Sequence, residues 1–500
     1  MPAPAPAHGA VASIARAPGG SLRTLADQAF SRAAGAPLVG GNAVRLLRDA
    51  GENFPAWLAA IEGAKESISV EAYIFAEDRL GERFRDALAA RARAGVTVRV
   101  LQDWLGSLGE ASRSFWRPLR DAGGEVRAFN PPRLDSPLGW VGRNHRKTIN
   151  VDGRIGFVAG LCIAARWEGE PAAGVAPWRD SGVELRGPAV ADLSRAFASA
   201  WSHAGPPLPP GAFPPREALA PCGDVALRVI ATEPATSGVF RLDQLLAALA
   251  RRTLWITDAY FVGNAAYVQA LRAAAADGVD VRVLVPGESD LVVVKRLSVA
   301  GFRPLLEAGV RIFEWKGSML HAKTAVADGR WARVGSSNLN VSSWMANWEM
   351  DVAVDDEGFA RRMEDCYEAD LENATEVVLG ARRVRTPRLG RIRPPGRRPR
   401  EGSAVSAAGA LRLGRAVGAA IGGSRVLGPA ETRIIFLAAA LLAGVVALAV
   451  FVPQAIAWPL AAVGVWFAIG LVARGRQIRR EAREKARLEQ EAAAAKGESA

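Results

Sequence analysis

Between Glu66 and Phe75 the chain reads ESISVEAYIF, and between Arg252 and Phe261 it reads RTLWITDAYF. Both stretches are rich in apolar residues and read as β-strands. Each ends in an acid followed by aromatics: Glu71 with Tyr73 and Phe75, Asp258 with Tyr260 and Phe261. An Ala-rich segment of helical character comes next, GERFRDALAARARAG in one place and YVQALRAAAADG in the other, and then a second apolar strand, VTVRVLQD or VDVRVLVPG. Strand, helix and strand of these lengths make a βαβ unit, a parallel strand pair with a helix across its face. The unit occurs twice, about 185 residues apart, which predicts a duplicated α/β architecture. A stretch full of proline, HAGPPLPPGAFPPREALAPCG, separates the halves.

A second pattern repeats later in each half. HRKTINVDGRIGFVAG carries His145, Lys147 and Asp152, and HAKTAVADGRWARVGSSN carries His321, Lys323 and Asp328 at the same spacing. Both run through Asp-Gly-Arg, a turn sequence, into another apolar strand, so each sits on a predicted β-hairpin. Strand positions i and i+2 share a face, so an imidazole and an ammonium stand together. A lone H-x-K reads as a solvated strand end. Here two of the chain's 4 histidines occupy equivalent places in a duplicated scaffold, which points to one site built from both halves. Two lysines in a cleft make a cationic pocket suited to phosphate. One neutral histidine can attack phosphorus. The other can protonate the leaving alcohol and deprotonate the next acceptor. The lysines supply the positive charge, so this chemistry calls for no metal and no cofactor.

Charge and composition change the picture mainly outside these halves. The formal net charge is +12. Arg382–Arg400 holds nine arginines and no acid, among prolines and glycines, and reads as a linker. From Ile434 to Ala473 no residue is charged, and Pro453 and Pro459 interrupt the run. A helix needs about 20 residues to cross a ~30 Å hydrocarbon core, so this reads as two membrane spans joined by a tight turn, the second short enough to be re-entrant or tilted. A buried helical hairpin is the competing reading. Arginines on both flanks place both ends in the cytoplasm by the positive-inside rule. Cys162, Cys222 and Cys366 are far apart and form no CxxC pattern, which fits a reducing compartment. The expected organisation is a disordered Ala/Pro-rich N-terminus (1–40), a first α/β domain (41–204), a Pro-rich linker (205–224), a second α/β domain (225–380), a basic linker (381–433), a transmembrane hairpin (434–473) and a charged cytoplasmic tail (474–500).

The doubled H-x-K-x4-D, with Gly335, Ser336, Ser337 and Asn338 closing the second copy, resembles the phospholipase D superfamily. Within it, NLNVSSWMANWEMDVAV and YEADLENATEVVL look like the bacterial cardiolipin synthases, and WRDSGVELRGPAV looks like the family's W-x-D segment. The resemblance covers about residues 40–380. It implies two phospholipase D-like α/β domains with the site on the pseudo-twofold axis between them. It implies a catalytic set of His145, Lys147, Asp152, His321, Lys323 and Asp328. It further implies that Asn338, Ser336, Glu349 and Asp180 bind phosphate or orient the histidines, each acid serving the opposite half. The implied activity is transfer of a phosphatidyl group to phosphatidylglycerol through a phosphohistidine, with His145 favoured as nucleophile and the intact second motif arguing for the reverse. The implied partners are anionic phospholipids (phosphatidylglycerol and cardiolipin) and a membrane, the bacterial inner membrane, with the catalytic domains cytoplasmic and no nucleic acid expected.

Three features depart from the family pattern. Ala159 stands where the second copy has Gly335, and Cys162 stands where it has Asn338. A thiol is a poor donor beside an amide, so phosphate contacts would be asymmetric; a plain buried strand residue is the other reading of Cys162. The apolar hairpin is C-terminal, whereas cardiolipin synthases often carry theirs at the N-terminus. Trp140, Trp344 and Trp348 fit either a membrane interface or simple core packing. Two rival functions stay open: a phosphodiesterase that hydrolyses phospholipid or nucleic acid, and a non-catalytic membrane scaffold.

Overall fold

The computed structural model describes residues 22–132, 141–379 and 464–466. Helix α1 (Leu22–Ala34) comes first. The first half then runs β1 (Val39–Arg48), α2 (Asp49–Gly63), β2 (Ser67–Ala72), α3 (Arg79–Arg93), β3 (Thr97–Asp103), α4 (Arg117–Asp121), β4 (Glu125–Phe129), β5 (Thr148–Val151), β6 (Ile155–Ala159), β7 (Ser181–Arg186) and α5 (Val190–His203). The second half opens with β8 (Val225–Thr232), α6 (Gly238–Leu249), β9 (Thr253–Asp258), α7 (Ala265–Ala276), β10 (Asp280–Pro286), α8 (Val292–Leu306) and β11 (Arg311–Trp315). It continues with β12 (Lys323–Ala327), β13 (Trp331–Gly335), α9 (Val341–Met345), β14 (Glu349–Asp355), α10 (Glu357–Glu372) and β15 (Ala374–Val377).

All fifteen strands form one sheet, in the order β15-β11-β10-β9-β12-β13-β14-β8-β1-β7-β6-β5-β2-β3-β4. Read outward from the β8–β1 seam, the halves have the same strand order, with β15 added at one edge. The expected βαβ units are present: β2 and β3 pair in parallel around α3, and β9 and β10 around α7. Helices cover these strands, so β2 and β9 are buried along nearly their whole length. Each half has its own core, with Phe54, Trp57, Phe84 and Trp116 in the first and Leu242, Tyr267, Leu271 and Trp344 in the second. A third apolar cluster joins the halves, packing Val158, Val183 and Leu185 with Val334, Val352 and Val354. Each such side chain contributes roughly 1.5–3 kcal/mol when fully buried, so the halves fold as one body.

One expectation changes here, and another falls outside the described residues. Residues 22–34 of the supposedly disordered N-terminus form α1, which crosses to the second half. Phe30 stacks on Trp331 at 6.5 Å, and Arg228 donates to Ser31 Oγ (3.2 Å) and to the Asp27 carbonyl (3.0 Å). An Ala-rich helix with one apolar stripe gains order from that docking and not from its own propensity. The expected transmembrane hairpin and the basic linker lie outside the described residues, apart from 464–466. Among the described residues no helix is long and apolar enough to cross a membrane.

The motif aspartates are also reassigned. Asp152 and Asp328 directly follow β5 and β12, about 16 Å along the chain from Lys147 and Lys323, too far to touch the imidazoles. Each begins a hairpin turn with positive φ at both the Asp and the following Gly (55° and 62°; 54° and 66°), the signature of the primed turns that match strand twist. Each carboxylate then accepts three successive backbone N–H groups at the start of the neighbouring strand. Asp152 takes those of Lys65, Glu66 and Ser67, and Asp328 those of Arg251, Arg252 and Thr253. They are latches that set the register of the histidine hairpin, not members of the reacting set. Asp152→Ala and Asp328→Ala should each lower stability by about 1–3 kcal/mol, read as an earlier urea midpoint. A loss no greater than that of Asp277→Ala, at an exposed helix end, would remove the latch assignment.

Candidate active site

The histidines stand just before their hairpins, where the chain leaves one half and touches the other. His145 N–H donates to the Trp348 carbonyl (2.8 Å), and Trp348 N–H donates to the Arg143 carbonyl (2.8 Å). The mirror arrangement has His321 N–H on the Arg179 carbonyl (2.7 Å) and Arg179 N–H on the Met319 carbonyl (2.9 Å). Each is an isolated parallel bridge, Asn144 with Trp348 and Leu320 with Arg179. The residue after Trp348 is Glu349, and the residue after Arg179 is Asp180. The bridges therefore deliver each acid to the opposite half's imidazole. His145 Nδ1 lies 2.9 Å from Glu349 Oε2, and His321 Nδ1 lies 2.7 Å from Asp180 Oδ2.

Tautomers follow from partners. His145 Nδ1 also faces the Ser336 carbonyl at 3.1 Å. Neither a carbonyl nor a carboxylate can donate, so Nδ1 carries the hydrogen and Nε2 keeps its lone pair. Burial pushes the His145 imidazole below its ordinary value, against the pull of Glu349. Burial and then Lys323 push His321 down to about 3, opposed by Asp180. Asp180 and Glu349 are held low in spite of their burial, each chiefly by its histidine. The resting pairs are thus neutral imidazole with ionised carboxylate.

Both lysines are buried, and each donates to the carbonyl of its own histidine: Lys147 Nζ to His145 at 2.6 Å, and Lys323 Nζ to His321. Their ammonium groups lie over tyrosine rings, Lys147 over Tyr73 at 5.1 Å and Lys323 over Tyr260 at 5.6 Å. The same rings meet the imidazoles edge-on, at 4.9 Å and 5.8 Å. Burial lowers both ammonium groups, Lys323 to about 8 with Asp180 opposing. Each histidine feels the other half's lysine, as expected of one shared charge cluster. The arrangement can hold an anion between two cations, with a bare nitrogen offered by His145 and a proton acceptor in His321.

The half-sites are not copies. Ser336 Oγ donates to Glu349 Oε2 at 2.6 Å, which makes Ser336 an orienting residue. Its counterpart is Gly160, where any Cβ would collide with the Asp180 carboxylate; Trp167 Nε1 donates to Asp180 Oδ2 instead, at 3.0 Å. Gly335 is needed because Asp351 fills the space beside it, whereas Ala159 faces Gly182 across the same strand pair. Ala159 is therefore one side of a compensated exchange. Asn338 is buried with its Oδ1 unpartnered, while Cys162 is buried within the first half's apolar core.

Several residues that build this site were not singled out from sequence. Arg146 is fully buried and donates to the carbonyls of Glu349 (3.1 Å), Ala196 (2.9 Å) and Thr232 (3.3 Å), tying the His145 strand to the second half. Arg179 binds Asp370 (2.8 Å), Asp49 (3.2 Å) and the Asp180 carbonyl. Trp167 and Trp178 pack on His321 at 5.4 and 5.8 Å. Tyr73 and Tyr260 did carry a signal, the repeated acid and aromatic pair, but nothing in it gave them a place beside the lysines. Trp344 packs on Phe240 and Tyr267, and Trp348 on Phe129, so both belong to the core and not to a membrane interface. Trp140 lies outside the described residues.

Comparison with known proteins agrees with this geometry. The family model described as "Cardiolipin synthase, PLD-like domain" matches residues 57–165 and 244–371, one stretch in each half. Cardiolipin synthase A of Pseudomonas aeruginosa is 37% identical over 361 residues, covering 71% of this chain and 72% of that protein. Cardiolipin synthase 1 of Bacillus anthracis is 33% identical over 359 residues, with 69% and 70% covered. The crystal structure of the phosphatidylserine synthase of Haemophilus influenzae shares the fold, with a TM-score of 0.55 at 14% identity over 70% of this chain and 92% of that one. With two aligned H-x-K hairpins meeting at one buried site, the chain belongs to the phospholipase D superfamily, as an enzyme of its cardiolipin synthase-like phosphatidyltransferase type.

Proposed function

We propose that the protein makes cardiolipin by moving a phosphatidyl group from one phosphatidylglycerol to another, through a phosphohistidine on His145. The observation that carries this is the pair of neutral histidines, each braced by an acid of the opposite half and each beside a buried lysine. The lysines hold the phosphodiester oxygens and stabilise the charge that gathers on them. His145 Nε2 attacks phosphorus as the bond to the leaving glycerol oxygen breaks, and that oxygen takes a proton from His321. A hydroxyl of a second phosphatidylglycerol then attacks phosphorus and gives its proton to His321. The P–N bond breaks, and its electron pair returns to His145. The cycle balances, with glycerol and cardiolipin as products.

His321 needs a proton for the first step, although burial and Lys323 leave it neutral at rest. A phosphodiester anion between the lysines cancels part of the positive field, which raises the proton affinity of His321 when substrate is present. Catalysis at a membrane is part of the same proposal. The uncharged run Ile434–Ala473 and the nine-arginine stretch before it support this reading, with both flanks of the run on the cytoplasmic side.

Incubating the purified full-length protein with phosphatidylglycerol vesicles should yield cardiolipin and glycerol; phosphatidic acid as the sole product would replace transfer with hydrolysis. His145→Ala and His321→Ala should each lower kcat at least about 1000-fold. Mass spectrometry of the quenched His321→Ala reaction should find the phosphatidyl adduct on the His145 peptide, and an adduct on His321 in the His145→Ala reaction would reverse the roles. The pH dependence has a definite sign. The Lys323 ammonium is present below about 8 and lost above it, so kcat/KM should fall as pH rises through that value. Lys323→Arg, which stays charged, should move the basic limb upward at lower overall activity. An unmoved limb would assign it to another group.

A further inference from the structure

The half-sites differ in what their tyrosine hydroxyls meet. Tyr260 donates to the Asp290 carboxylate, 2.8 Å to Oδ1 and 3.0 Å to Oδ2. Tyr73, its counterpart, has no hydroxyl partner among the described residues. Aligning β3 with β10 by their matching Arg99 and Arg282 puts Ser107 where Asp290 stands. Ser107 is buried and turned inward, its Oγ on the Tyr73 carbonyl at 3.2 Å. Among the described residues a carboxylate therefore meets the tyrosine hydroxyl on the His321 side alone; on the other side Asp103 is buried and paired with Arg143. Asp290 is exposed in the loop between β10 and α8, and no cation pairs with it among the described residues.

A carboxylate only accepts hydrogen bonds, and its two oxygens offer about four lone-pair directions. The single Tyr260 hydroxyl leaves most of them open. An unpaired anion near a two-lysine phosphate site is poorly placed to bind phosphate, but it suits a neutral group rich in donors. The transfer reaction brings such a group to that side. The alcohol oxygen that takes its proton from His321 sits within hydrogen-bond reach of that imidazole. Tyr260 meets His321 edge-on at 5.8 Å and holds Asp290 on its hydroxyl, so one aromatic ring links Asp290 to the His321 side.

We propose that Asp290, held by Tyr260, accepts hydrogen bonds from the free hydroxyls of the glycerol headgroup that leaves and of the one that attacks, and so selects a polyol on the His321 side. The inference rests on the phosphatidyl-transfer reading above. It assigns alcohol recognition to the second half and leaves the nucleophile side without it, in keeping with His145 as nucleophile. A headgroup bearing its own carboxylate, as in phosphatidylserine, would meet like charge there.

The test uses the full-length protein with phosphatidylglycerol vesicles, free glycerol as competitor, and cardiolipin as the readout. Asp290→Asn should raise KM for phosphatidylglycerol, and weaken inhibition by glycerol, by about tenfold, with kcat changed far less. Asp290→Glu should restore much of both. Asp290 is exposed, so neither variant should shift the melting temperature. Wild-type KM and wild-type glycerol inhibition in Asp290→Asn would overturn the inference and leave the transfer reading intact. Failure of the unmodified protein to form any cardiolipin would overturn both.

Discussion

Everything at this site depends on two short backbone bridges between the halves. Asn144 with Trp348 and Leu320 with Arg179 are single contacts outside the main strand ladders. Yet each fixes the height at which a histidine of one half meets the strand carrying an acid of the other. Once the bridge forms, the next residue along the acid strand, Glu349 or Asp180, has little choice but to face the imidazole. Neither half holds a finished histidine–acid pair by itself, so the site exists only when both halves are folded and apposed. Arg146 and Arg179 reinforce this at the carbonyls of Glu349 and Asp180. A guanidinium is suited to that task because its fork can satisfy several carbonyls at once while staying charged.

The electrostatic problem at the centre is severe. Two ammonium groups are buried within one cluster, and burying a charge without compensation costs several kcal/mol. The structure offsets this with carbonyl acceptors, two tyrosine faces and two ionised acids, and it leaves both imidazoles neutral. The compensation is incomplete, as the lowered Lys147 and Lys323 show. What remains is an excess of positive potential at the mouth of the site, which an anionic diester relieves. The same unbalanced field that makes the site costly to bury suits it to receive a phosphate.

Duplication has been followed by divergence in matched steps. Ala159 opposite Gly182 replaces Gly335 opposite Asp351, and Trp167 does for Asp180 what Ser336 does for Glu349. The departures that left room for a decayed first copy are thus filled by neighbours. Cys162 is different: it joins the apolar core, and the first half-site goes without the amide that Asn338 supplies. Together with Asp290 on the His321 side only, this makes the two sides of the site chemically unlike.

The sequence by itself determined the duplicated α/β plan, the two histidine hairpins and the pairing of imidazole with ammonium. These rest on local periodicity, turn chemistry and repetition, all carried within short windows of chain. It misassigned the motif aspartates, because regular spacing along a strand does not say whether a side chain reaches the chemistry or ties down the strand's far end. It also passed over α1, whose order comes from docking on Trp331 and Arg228, far away in the chain. Only the tertiary structure decided that Glu349 serves His145 and Asp180 serves His321, that Arg146 is a buried tie, and that the two tyrosines face their lysines. The acid–histidine pairings depend on contacts across 141 and 204 residues. At such separations no local pattern records which strand ends will meet, and the seam between the two halves sets them.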